Sequence, residues 1–215
     1  MEFIVIALIP TAIQAAIAAI SGAAATFGPM ITKHAPILLD IACRNLPLVL
    51  NAMDAVSSLL GLNKDNATDL GAKAAKSDLK PEDFDSIDAY INHLNHNVEL
   101  TPEERESEGL QQLINSAVGV TLKIKAAAEK LHIGDISIPL LVGMASSRLS
   151  PQEMLEVIKV YDAKPQHSDT FADYLSGKLS LAESAKHSSL LMTALAAANP
   201  DLTEIEIEDK VMGLK

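Results

Sequence analysis

From Phe3 to Thr32 the chain runs thirty residues without an Asp, Glu, Lys, Arg or His. That exceeds the roughly 20 apolar residues with which a helix crosses a bilayer, so this region must be hidden in lipid, in a partner or in an apolar core. Pro10 lacks an amide donor and marks either the first turn of the principal helix or a kink in a longer one. Beyond it Ile13, Ile17 and Ile20 share one helical face, and Ala15, Ala18, Ala19, Gly22 and Ala25 make a neighbouring face of small residues on which backbones can approach closely. Gly28 and Pro29 should end this helix. A second apolar stretch follows from Ile37 to Leu62, with a stripe of Val49, Leu50, Met53, Val56 and Leu60. Asp40, Arg44 and Asp54 make this arm amphipathic, Pro47 should kink or divide it, and Asp40 and Arg44 are spaced to pair on one face. The two arms predict an apolar helical hairpin over residues 1–62.

Residues 63–80 are polar and small and end at Pro81, which reads as a linker or a packed surface loop. The remainder, 81–215, reads as an acidic body of several helices. Thr101-Pro102-Glu103-Glu104 and Ser150-Pro151-Gln152-Glu153 each combine a capping hydroxyl, a proline at the first helical position and acids at the positive helix end. After the first, Leu110, Leu113, Ile114, Ala117, Thr121, Ile124, Ala128 and Leu131 recur at helical spacing and predict a long core-facing helix ending near His132-Ile133-Gly134. After the second, Met154, Leu155, Ile158 and Tyr161 predict a shorter one. Ser180 to Ala198 predicts another, stopped by Asn199-Pro200, and Thr203-Glu204 starts a terminal turn. Asp85 to Asn92 resembles Asp169 to Ser176, which we read as two short capped amphipathic helices, with a recognition surface of Tyr90 and Tyr174 as the alternative.

Composition narrows the fold class. Aromatic residues are 3% of the chain, with no Trp, while Ala, Leu and Ile abound, so the expected fold is all-α, a multi-helix bundle carrying the apolar N-terminal hairpin. Of the net charge of −11, residues 1–62 hold −1 (Glu2, Asp40 and Asp54 against Lys33 and Arg44), leaving −10 for 63–215. No basic stripe exists to neutralise phosphates, which argues against nucleic acid as a partner. The same charge disfavours adsorption of the acidic body to anionic lipid. Cys43, the lone cysteine, has apolar neighbours and is expected to be a buried thiol. Met1-Glu2-Phe3 lacks the basic start of a secretory signal, so no cleavable signal peptide is expected.

Candidate chemistry is sparse. His93 and His96 lie on one helical side near Asp88 and Glu99, but no further ligand pattern joins them, so no metal site is expected. His132, His167 and His187 are isolated and read as surface or capping residues. Ser146, Ser147, Ser188 and Ser189 lie in no nucleophile-elbow context, and the chain carries no phosphate loop or dinucleotide fingerprint. Glu103, Glu104, Glu106 and Glu108 form a helix-start charge run. We therefore expect no enzyme and no cofactor. The expected function is that of a membrane-associating helical protein, a pore-forming or membrane-perturbing, toxin-like effector with a masked soluble state. Its partner through residues 1–62 would be a lipid bilayer or a protein, and it would form a homo-oligomer. Ile13, Ile17, Ala18, Gly22 and Ala25 would supply helix contact and insertion, Gly28 and Pro29 the turn, and acidification would ease insertion by reducing self-repulsion. The alternative is a soluble, cytoplasmic structural or adaptor subunit whose apolar helices pack in an assembly.

Overall fold

Helix α7, Gly109–Leu131, is buried along most of its length, polar residues Asn115, Ser116, Thr121 and Lys123 included. A helix hidden on every side must be an axis around which the others pack. The computed structural model describes residues 10–42, 45–62 and 65–214, and it is 78% helical, with twelve α-helices and no strand among the described residues. The all-α bundle expected from composition is the observed fold. Helices α1 (Pro10–Gly22), α2 (Ala24–Ala42), α3 (Leu46–Leu59), α4 (Ala67–Lys76) and α5 (Ile87–Asn97) all contact α7. The start of the apolar run, the burial of Cys43 and the pairing of Arg44 with Asp40 lie outside the described residues.

The segment expected as a linker or loop contains α4, which makes the closest crossing with the axis. A Cβ on Gly71 would stand 1.8 Å from the carbonyl oxygen of Asn115, and one on Gly119 would stand 1.6 Å from that of Ala67. Only glycine permits this approach. Asn66 caps α4 by accepting from the Asp69 amide, and the Thr68 and Ser116 hydroxyls meet at 2.9 Å across the crossing.

The capped start at Thr101 opens only one turn, α6 (Pro102–Arg105), instead of the long helix. The chain breaks over the next three residues, and α7 begins at Gly109, whose φ of 59° suits the turn. Leu110, expected on the core stripe, is exposed as a result. At its other end α7 stops where expected, with His132 left-handed at φ 56°.

A second layer covers α3: α8 (Ile138–Ser146), which the sequence reading did not anticipate, and α9 (Pro151–Asp162). A 3₁₀ turn, Pro165–Thr170, leads to α10 (Phe171–Leu175), and α11 (Leu181–Ala198) lies on α9 with α12 (Glu204–Met212) against it. The two echoing segments differ. Ser86 caps α5 through the Ala89 amide, whereas Thr170 makes no capping bond, and Tyr90 and Tyr174 are both fully buried, so they form no recognition surface. One hydrophobic cluster runs from Ile13 to Val211 and does not divide near residue 62.

Candidate functional site

Helix α1 carries no charged residue and turns Ile13, Ala16 and Ile20 into the core. Ile17 sits half-buried at the margin, and Ala15, Ala18, Ala19, Gly22 and Ala25 face outward. Of the residues expected to carry helix contact, therefore, Ile13 is spent inside the molecule, Ala18 and Gly22 lie exposed on α1, and Ala25, also exposed, falls on α2, because the helix expected to run on to Gly28 ends at Gly22. A Cβ on Gly22 would meet nothing within 4 Å. The axis turns by 119° between α1 and α2, and no single described helix is long and apolar enough to cross a membrane; only this bent pair passes on length and composition together. Gly28 interrupts α2 with φ 79° and ψ 163°, and Pro29 opens its second part, where the Thr32 hydroxyl donates to the carbonyls of Gly28 and Pro29. Pro36 lies within the helix, and Pro47 opens α3 without kinking it. Ile37, Ile41, Leu48 and Leu59 add exposed apolar side chains on α2 and α3.

Polar groups tie these helices to the rest of the fold at two places. At the α2 break, Glu82 accepts the Met30 amide at 2.7 Å, and its carboxylate fills the space over Gly28, where a Cβ would stand 2.1 Å from Oε2. This is a helix N-cap supplied from a distant segment. Deeper in, the Lys123 ammonium donates to Asp54 on α3 and to the Asp65 carbonyl, both at 2.6 Å. Asp65 in turn accepts from Lys73 on α4 at 2.5 Å, and Lys73 also donates to Asn95 on α5 at 3.0 Å. Lys123 is 3% exposed and Lys73 7%, so each ammonium depends on these acceptors for the solvation that burial removed. Nearby, burial holds half-buried His34 below its ordinary value, with the Lys125 charge adding to the effect and Asp135 opposing it. Lys125 and Asp135 are themselves paired at 2.7 Å.

The C-terminal layer holds a different polar centre. His187, expected as a surface or capping residue, is 1% exposed and stacks on Tyr174 with ring centres 5.1 Å apart. Thr170 donates its one hydroxyl proton to the His167 carbonyl at 3.3 Å, so it accepts from His187 Nε2–H at 3.1 Å. Nδ1 is then unprotonated and accepts the Tyr161 hydroxyl at 2.9 Å. Burial, and after it the neighbouring His167 charge, hold His187 below its ordinary value against the pull of Glu183, and burial raises Tyr161. Ser188 bonds to the Tyr174 hydroxyl, and the ring nitrogens of His187 address no serine, so no nucleophile–base pair forms here. Glu153 is equally hidden: burial opposes its charge, but bonds from Lys210, the Ser150 amide and Asn199 together keep its carboxyl below the usual range.

His93 and His96 do not converge on a ligand. His93 takes a bond from Asn97 and lies 5.2 Å from the Phe84 ring, while His96 Nδ1 meets the Asn92 carbonyl at 2.7 Å. Among the described residues no group of three or more His, Cys, Asp or Glu side chains is placed to hold a metal ion. An open groove of about 470 Å³ between α4, α6 and α7 is bordered by Lys76, Glu103, Glu104 and Gln111, with Lys76 and Glu104 paired at 2.8 Å. The sequence reading passed over Lys73, Glu82 and Lys123. Lys123 left a partial signal, since between Val118 and Ala128 the polar positions are Thr121, Lys123 and Lys125 alone.

Comparison of the chain with known protein families, with characterised proteins and with solved structures finds no match.

Proposed function

We propose that this chain is a non-enzymatic helical protein that associates with membranes through α1–α3, stored in the present fold as a masked state, and that it perturbs the bilayer as a toxin-like or pore-forming effector. The uncharged outward face of α1 carries the reading. Ala15, Ala18, Ala19 and Gly22 are exposed beside a core face of Ile13 and Ile20, so once it leaves α7 the helix offers an uncharged surface on which Thr11, Gln14 and Ser21 are the polar positions. The small face then serves contact between copies, for which Gly22 has free space. Flotation with neutral phosphatidylcholine vesicles tests this: the full chain should rise with the lipid and release trapped dye, and Gly22→Leu should reduce release while the fold persists. Protein that stays in solution and leaves vesicles intact would overturn it.

A second reading, a structural or adaptor subunit, is favoured by the burial of Ile31, Leu38, Leu39, Val49 and Met53 in the common core. The exposed Ile37, Ile41 and Leu48 would then be subunit contacts. It predicts a discrete oligomer by light scattering without detergent, and no flotation.

A further inference from the structure

We propose that the groove between α4, α6 and α7 docks a short basic segment of a protein partner, one that carries apolar side chains among its lysines or arginines. The groove exists because the chain breaks after Arg105: α6 stands beside α7 instead of continuing it, and about 470 Å³ is left open between the two and α4. Ala72, Ala75 and Leu100 line it with apolar surface, Glu103 and Glu104 with carboxylates. A second groove of about 360 Å³ shares Lys76 with the first and adds Asp78, Leu79 and Glu99. Neither is enclosed, so they suit a stretch of chain laid across them better than a small molecule, which a pocket must surround.

The charge of the occupant follows from the acids. Asp78, Glu99, Glu103 and Glu104 border the two grooves against a single lysine, and the Lys76 ammonium is spent on Glu104 at 2.8 Å and on the Glu99 carbonyl at 2.9 Å. Among the described residues no Lys or Arg is paired with Asp78, Glu99 or Glu103. Carboxylates gathered without a counter-charge repel nucleic acid and anionic lipid and attract ammonium or guanidinium groups. Glu104 is held by Lys76 and by the Thr101 amide at 2.7 Å, so α6 presents this carboxylate already ordered and binding does not have to fix it. Exposed ion pairs bind weakly by themselves, which gives the apolar lining its part. Leu79, 42% exposed, and the two alanines accept aliphatic side chains while the charged ends of the partner's long side chains reach the carboxylates at the margin.

Fluorescence anisotropy of a labelled eight-residue peptide of alternating arginine and leucine, titrated with the full chain, tests the site; when extended, the peptide turns every leucine to one side. Glu99→Gln with Glu103→Gln should weaken binding at least about tenfold. Ala75→Leu, which fills the groove without changing its charge, should weaken it at least about fivefold. Glu204→Gln with Glu208→Gln removes the same charge from exposed positions on α12 and should change affinity less than about twofold. Circular dichroism should show the three variants as helical as the parent. No binding at about 1 mM would overturn the proposal. Equal losses in the groove and α12 variants would reduce the attraction to net charge and overturn it too. Unchanged affinity in Ala75→Leu, or equal affinity for a peptide with serine in place of leucine, would deny the apolar lining a part and have the same result.

Discussion

The helices at the two ends of this chain bury apolar side chains in one core but are secured by different means. Helices α9, α11 and α12 each begin with a reciprocal capping box, Ser150/Glu153, Ser180/Glu183 and Thr203/Glu206, and α9 and α12 also carry a lysine in the last turn. Helices α1, α2 and α3 have no acid in the first turn and no base in the last, and α3 has no side-chain cap. What fixes the α2 break is Glu82, more than fifty residues away. The C-terminal helices are therefore specified locally and retain their ends if their neighbours shift. The N-terminal helices hold their shape through tertiary contact.

Changes at glycine should separate the regions most sharply. Gly119→Leu drives a side chain into the Ala67 backbone and should destabilise the fold by about 3 kcal/mol or more, read as a lower urea midpoint. Gly22→Leu meets open space and should alter stability by less than about 0.5 kcal/mol. Comparable losses in both would mean that α1 is packed as tightly as α4 and would erase the contrast. A smaller effect is expected at the C-terminal caps: Thr203→Ala should cost about 1 kcal/mol and speed hydrogen exchange in α12 alone. Spread of that loss into α1–α3 would show that the ends are coupled.

The weakest expected effect is one of pH. Burial lowers His187 in the folded state, so the unfolded chain takes up the proton first; the contribution is complete above the ordinary value of 6.5 and is lost as pH falls below it toward the lowered folded value. Urea midpoints between about pH 7.5 and pH 5.5 should therefore decline, and His187→Gln should flatten the decline. An identical slope in the variant would assign the dependence to other groups.

Much of the body was legible because its signals are local. The stripe Met154, Leu155, Ile158 and Tyr161 is buried throughout, and the stops at His132 and Asn199-Pro200 fall where left-handed and proline geometry demand. Helix α4 was illegible because its contact residues, Ala67, Gly71 and Ala74, are small, and small residues among Asp and Lys read as a linker when the partner helix is unknown. His187 was misplaced for a related reason. Its neighbours Lys186 and Ser188 suggest a surface, and the hydroxyls that bury it, on Tyr161 and Thr170, arrive from other elements. Lys123 and Lys125 stand in the same apolar surroundings along the chain, and only Asp54 and the Asp65 carbonyl, meeting Lys123 from two directions, mark it as the buried one.

By itself the sequence determined that this chain is helical and where most of its C-terminal helices start and stop, since propensity and capping act over a few residues. Tertiary structure alone decided which face of α1 is free, that the small residues of α4 are a crossing, and that two lysines and a histidine are buried. Those outcomes depend on groups far apart in the chain meeting at hydrogen-bond distance, and no local pattern encodes the meeting.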